Sequence, residues 1–316
     1  MTAILAPEFT NEDKARRFLE ASRWPDGVVC PFCGQLESSN ALPPKGALGA
    51  GWYHCRDCRK KFTVRVGTLY ERSHIPLHKW LLATHLLCAS KKGMSAHQLA
   101  RMLDITYKSA WFMAHRIREG MAPSNGNAGP LGGEGKIVEA DTTFIGGKEK
   151  NKHRNKRDGK KIGGMGKQIV HTLVERGGRA RSDHIANVSG KTLRPVVMKQ
   201  VSRASSLMTD TAGGYMDLGK EFTRHEMVDH GTGEYVRGDA HSNTVEGYFS
   251  VLKRGVIGTY HHVSEAHLKR YLAEFDFRYN ERSALGVEDV ERMTKAVKGI
   301  EGKRLTYRRT NEAAHA

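Results

Sequence analysis

The sequence lacks an apolar run long enough to cross a bilayer. The longest, residues 80–89, is broken by His85 and is far short of the ~20 residues a span requires. It predicts a buried helix with Cys88 as a core thiol. No basic start followed by an apolar stretch marks a signal peptide, so a cytoplasmic location is expected, with the protein on the nucleoid when DNA-bound. Cysteine is also scarce. There are five in 316 residues, and four of them fall in two CxxC pairs. That spacing points to metal rather than to a disulfide framework. Acidic residues are in deficit, 34 Asp and Glu against 51 Lys and Arg. The net charge of +17 suggests a polyanion partner, because each phosphate met by Lys or Arg releases counterions.

Residues 9–24 predict a helix capped at Thr10 or Asn11, with Phe18, Leu19 and Trp24 inward. Cys30-Pro-Phe-Cys33 follows, then Cys55-Arg-Asp-Cys58. Each CxxC turn lets two thiolates converge, and two turns build a closed tetrahedral four-sulfur site for a structural Zn²⁺. Residues 60–66 alternate as a strand and complete a zinc ribbon. Its Arg56, Arg59, Lys60, Lys61 and Arg65 are candidates for phosphate contact.

Residues 76–121 read as helices. Ser95-Ala-His-Gln98 is a capping-box pattern that opens a short helix to Met102. After a brief turn, a second helix starts near Thr106. Its inward set is Ala110, Met113, Ala114 and Ile117. Its outward set includes Lys108, Ser109, Trp111, Phe112, His115 and Arg116. This pattern predicts a helix-turn-helix, with Lys108 and Arg116 as DNA-contact candidates. Residues 123–135, rich in Gly, Pro, Ser and Asn, form a linker.

Beyond the linker the pattern changes to strands, expected at 136–145, 168–175, 180–188, 205–209 and 226–229, with a helix near 191–200. Residues 148–167 hold nine Lys or Arg and almost nothing apolar. They predict a basic loop that orders on a phosphate backbone, with Lys148, Lys150 and Lys152 as candidate contacts. Residues 241–254 predict a helix with Val245, Phe249 and Leu252 on an apolar stripe and Glu246 and Lys253 on its edge. A last helix is expected near 287–300, followed by a basic tail. The expected domains are therefore residues 1–72 (N-terminal helix and zinc ribbon), 73–122 (helix-turn-helix), 123–135 (linker), 136–282 (catalytic) and 283–316 (helix and tail).

Asp141, Asp210 and Glu246 each lie at the end or edge of a predicted element. If the first and fourth strands of the catalytic domain are neighbours, the two aspartates converge with the helix lying across them. Three carboxylates cannot ionise together at close range without cations between them. Two Mg²⁺ or Mn²⁺ ions about 3.5–4 Å apart would resolve the repulsion and clamp a phosphodiester. Asn243, three residues before Glu246, lies about 60° around the helix from it, whereas Lys253 is within about 20° of it. Glu139 is read as pairing with the basic loop. Asp229 and Asp239 are read as ending elements.

The segments CPFCG, CRDCRKKFTVRVGT, VEADTTFIGGKEKNKH, SLMTDTAGGY and HSNTVEGYFSVLKRGVIGTYHHVSEAHLKRYLAEFDFRYNER resemble a DDE transposase of a bacterial insertion sequence. The group is the one with an N-terminal zinc ribbon and a ribonuclease-H-like catalytic domain. The resemblance spans most of residues 28–282. It implies a mixed five-stranded sheet with flanking helices, and metal-dependent cleavage at the ends of a mobile element. It further implies joining of the freed 3′-OH to target DNA. The family's triad falls on Asp141, Asp210 and Glu246, and its basic residue seven positions later on Lys253, with Arg254 beside it. Where the family often has an acid after the first Asp, Thr142 stands here. The implied partners are double-stranded DNA (element ends and target) and further copies of the chain, as a homodimer or larger synaptic assembly; no membrane partner is expected. Two other readings fit the same motifs: a non-enzymatic zinc-ribbon and helix-turn-helix regulator, and a nuclease of the same fold that cuts without joining.

Overall fold

The structure is a computed structural model that describes residues 3–45, 49–123, 129–147, 151–157, 164–211, 213–234 and 236–306. It forms two compact units. The first comprises Met1–Ser90, Met94–Ala122 and Val287–Ala316, and the second Lys91–Gly93 and Pro123–Gly286. Among the described residues, no helix is long and apolar enough to cross a membrane.

The first unit starts with α1 (Pro7–Thr10) and α2 (Glu12–Arg23), the latter capped by Asn11, whose side chain accepts from Lys14 N. A small antiparallel sheet follows, in the order β1 (Ser39–Ala41), β2 (Trp52–Cys55), β3 (Lys61–Thr63). Its apolar support is an aromatic group in which Trp24 meets Tyr53 and Phe62 edge-on. Helix α3 (Leu77–Ala89) is apolar around most of its circumference, which marks a central helix, and Cys88 lies buried in it as expected.

Helix α4 (Ala96–Leu103) is capped by Ser95, whose Oγ accepts from Gln98 N at 3.1 Å, as the pattern predicts. Asp104 then adopts a left-handed conformation, φ 48°, which a short polar side chain tolerates better than most. Thr106 caps α5 (Tyr107–Met121). The inward set of α5 is buried as predicted, but its outward set is not all outward. His115, Arg116 and Arg118 are buried too. Arg116 Nη2 donates to the Glu71 carbonyl at 2.6 Å, and its guanidinium lies over the Trp80 and Phe112 rings. Its assignment as a DNA contact is therefore corrected: its planar cation serves the interior. A heptad-like pattern shows which face is most apolar, not whether the opposite face is covered. Helix α5 packs against α3, α4 and α9 (Asp289–Lys298), and so its second face is covered as well.

The second unit is a five-stranded sheet in the order β6-β5-β4-β7-β8. The strands are β4 (Ile137–Ile145), β5 (Gln168–Glu175), β6 (Ala180–Ile185), β7 (Ser206–Asp210) and β8 (Arg224–Val228). Strands β4, β5 and β6 run antiparallel, while β7 and β8 join β4 in parallel. Helix α6 (Gly190–Gln200) covers one face together with a 3₁₀ stretch, Gly213–Glu221. Helices α7 (Asn243–Gly255) and α8 (Glu265–Asn280) cover the other. This mixed sheet with flanking helices is the ribonuclease-H-like arrangement. Val245, Phe249 and Leu252 pack into the core with Tyr248, against Ile145, Val170 and Val174 of the sheet. Gly255 lets α7 pass close to the Phe275 ring and the Lys92 carbonyl, where a methyl group would not fit.

Asp276 of α8 joins these layers. It accepts from Tyr248 Oη at 2.5 Å, Ser182 Oγ at 2.7 Å and Ser182 N at 2.8 Å. Burial pushes its carboxyl up to about 6, against hydrogen bonds from Tyr248 and Ser182 that pull it down. A raised folded-state value means the native protein holds a proton the unfolded chain has released. The associated stability is present below the ordinary Asp value, ~3.9, and is lost as pH rises through about 6. Urea midpoints for wild type and Asp276→Asn, measured from pH 4 to 7, should therefore change with pH at different slopes. The wild type loses more stability over that window, and parallel curves would refute the assignment.

Candidate metal and nucleic-acid sites

In the ribbon, Cys30 and Cys33 sit on one turn and Cys55 and Cys58 on another. Their four Sγ atoms lie within 4.8 Å of one another, with Cys30–Cys58 and Cys33–Cys55 each at 3.6 Å. A tetrahedral zinc with Zn–S near 2.3 Å puts its sulfurs about 3.8 Å apart, so the cluster fits that ion and leaves no open position. Backbone N–H groups, first that of Cys58, bring the Cys55 thiol down to about 7, while Cys33 and Cys58 in the same cluster shift upward, so it is the geometry of the four sulfurs that points to a metal. His54 is not part of the cluster.

The second site lies at one end of the larger sheet. Strands β4 and β7 are parallel neighbours with Ala140 opposite Thr209. One step further along each strand stand Asp141 and Asp210, side by side across a strand spacing of about 4.8 Å. The adjacency expected of the first and fourth strands is thus present. Burial holds the phenol of Tyr215 well above its ordinary value, and both carboxylates, Asp141 and Asp210, further oppose its ionisation. Its hydroxyl meets Thr142 Oγ1 at 3.0 Å, so Thr142 turns to the α6 side of the sheet, away from its neighbour Asp141. Glu246 comes from the first turn of α7, where Ser242 Oγ donates to its Oε1 at 3.3 Å.

Asp141, Asp210 and Glu246 line a single cleft of about 440 Å³, together with Thr211, Asp229, Gly231 and Ser242. Asn243 is exposed and does not line it. The donors are oxygens only, a set that suits Mg²⁺ or Mn²⁺ and not a thiophilic ion.

From sequence alone, Asp229 is merely the end of a strand. Strand β8 is parallel to β7 with Val228 opposite Asp210, and this carries Asp229 to the rim of the same cleft. Its Oδ1 accepts from Gly231 N at 2.8 Å and Thr211 Oγ1 at 3.4 Å. The usable signal was topological: ligands gather at the carboxyl ends of parallel strands. Glu139 is also corrected. It is fully buried and pairs not with the basic loop but with Arg176 and the start of α7. Asp239 is held by Arg224 through both carboxylate oxygens, at 2.7 Å each.

Of the basic candidates, Lys108, Lys253, Arg254 and Lys152 are exposed. Lys253 Nζ lies over the Phe249 ring at 6.0 Å, and Arg254 bonds to Ser250. Lys148 and Lys150 lie outside the described residues, as do residues 158–163 of the basic loop. Arg65 donates to the Ser73 and Ile75 carbonyls and to Glu12, which turns it inward to the fold.

Residues 130–280 match the family profile of the ISXO2-like transposase domain, and residues 10–61 match a transposase zinc-ribbon domain. The chain is 30% identical over 284 residues to a Halobacterium salinarum protein described as an uncharacterized protein in transposable element ISH50. That alignment covers 85% of this chain and 91% of the relative.

Proposed function

Since the chain belongs to the ISXO2-like transposases, insertion-sequence proteins with an N-terminal zinc ribbon, we propose that it cuts DNA at the ends of its mobile element and joins the freed 3′-OH to target DNA. The observation that carries this chemistry is the meeting of Asp141, Asp210 and Glu246, from two strands and a helix, in one cleft. These three would hold two Mg²⁺ or Mn²⁺ ions. When bound, such ions make water a stronger nucleophile and stabilise charge on the departing oxygen.

The chain's own residues do the rest. The two strand aspartates present fixed oxygens at the sheet edge, and α7 brings Glu246 across them. In the first step water attacks the scissile phosphate, the P–O3′ bond breaks, and the 3′ oxygen takes up a proton. In the second, that 3′-OH attacks a target phosphate. One P–O bond forms as another breaks, and a target 3′-OH is released. Lys253, Arg254 and Lys152 are assigned to the phosphate backbone, and Lys108 with α4 and α5 to end recognition as a helix-turn-helix. Two ends must be joined in one event, so a dimer or larger assembly acts, on the nucleoid in the cytoplasm. A non-enzymatic regulator has no use for three carboxylates gathered in one cleft.

The test is a strand-transfer assay with Mg²⁺ and DNA carrying the element's flanking repeats. Cleaved ends and joined products are expected, both lost on chelation. Cleavage without joined product would reduce the protein to a nuclease, and binding without cleavage would make it a regulator.

A further inference from the structure

We propose that Glu139 and Arg176 form a clamp that sets the height and rotation of α7, and so positions Glu246 over the two aspartates. The proposal rests on the metal-binding reading of the cleft.

A helix leaves its first N–H groups without partners, and they are normally met by the side chain just before it. In α7 that residue, Ser242, has φ −116° and ψ 18° and makes no capping bond. The partners come from another element. Glu139 of β4 accepts from Thr244 N at 2.8 Å, Val245 N at 2.9 Å and Thr244 Oγ1 at 2.8 Å. A carboxylate at this end of a helix also complements the helix dipole. The same Glu139 accepts from Arg176 Nε at 2.6 Å. Arg176, in the turn between β5 and β6, then reaches the segment leading into α7. Its Nη1 donates to Asp239 O at 2.8 Å and its Nη2 to His241 O at 2.9 Å, with His241 Nδ1 at 3.0 Å from that same Nη2. His241 Nδ1 also lies 3.2 Å from Glu139 Oε1.

Glu139 is two residues from Asp141, on the same face of the same strand. One strand therefore holds the helix start with one carboxylate and presents the other to the cleft. Glu246 is one residue beyond Val245, the last amide held by Glu139. Any slip or rotation of α7 that moved Glu246 would break these bonds first. Glu139 is fully buried and its oxygens are taken, so it is a positioning residue and not a metal ligand. Arg176 offers a planar fork with fixed donors; a lysine at this position could not span Glu139 and two carbonyls at once.

The experiment uses the full-length, zinc-loaded protein and Mn²⁺ alone, with free Mn²⁺ followed by electron paramagnetic resonance. Hydrogen exchange is read at the Thr244 and Val245 amides. Glu246→Gln is expected to weaken Mn²⁺ binding directly. Glu139→Gln and Arg176→Lys are expected to weaken it ~10-fold or more, the range seen when groups that orient metal ligands are removed. Both should speed exchange at the two amides, and excess Mn²⁺ should restore occupancy. Should Glu139→Gln not fold, Arg176→Lys decides alone, because it keeps a cation beside the buried carboxylate. Wild-type Mn²⁺ affinity in Arg176→Lys or in folded Glu139→Gln, alongside weakened Glu246→Gln, would overturn the clamp and leave the cleft reading standing. Wild-type affinity in Glu246→Gln would overturn the cleft reading, and the clamp with it.

Discussion

Asp141→Asn or Asp210→Asn should lower metal-dependent end cleavage by ~10³-fold or more, with strand transfer lost alongside it. Each change removes one hard anionic oxygen from a cleft whose donors are all oxygens, and leaves the side-chain shape almost intact. Neither residue is in the apolar core: both are partly exposed at the sheet end. The backbone pairing of β4 with β7, and of β7 with β8, does not depend on either carboxylate. Fold and catalysis can thus be separated. In the absence of metal, the variants should melt at or above the wild-type temperature, because crowded carboxylates repel. On adding Mg²⁺ the wild type should gain stability, as any ligand of the native state confers, and the variants should gain much less. Near-normal cleavage by Asp210→Asn would end the triad assignment.

The second large effect concerns the ribbon. Chelating the zinc, or replacing Cys55 by Ser, is expected to unfold the segment from Val28 to Val66. Structural zinc in small domains contributes roughly 10–16 kcal/mol of apparent binding free energy, most of it folding free energy. Strands β1 to β3 have only three or four residues each, and their apolar support is little more than Trp24, Tyr53 and Phe62. Such a sheet cannot offset its chain entropy without the cross-link that the four cysteines provide. Zinc content by mass spectrometry should fall from one per chain to near none. Hydrogen exchange across β2 and β3 should become fast, and DNA-end binding should fall with it. A ribbon that kept slow exchange without metal would show that its aromatic packing suffices.

The four-cysteine cluster, the change from helix to strand near residue 136, and the apolar stripe of α7 were all legible in sequence. Each is encoded locally. A CxxC turn needs only its own residues, and an amphipathic stripe is a periodicity along one segment. Val245, Phe249 and Leu252 lie in the core where that periodicity puts them. Helix α8 lies within a segment that resembles the family but is not among the elements expected from sequence. Boundaries also moved by a few residues: the strand expected at 226–229 runs Arg224–Val228.

What the sequence by itself determined, then, was which residue types could do chemistry and which segments could fold around them. The order β6-β5-β4-β7-β8 was decided only in the tertiary structure, because strand pairing is a long-range contact that no local pattern records. That order brings Asp229 to the cleft beside Asp210. It places Glu139 beneath α7 instead of beside the basic loop. In the first unit, packing on both faces of α5 turns Arg116 from an expected DNA contact into an interior cation. In each case the residue's type was visible, but its role depended on which element covered it.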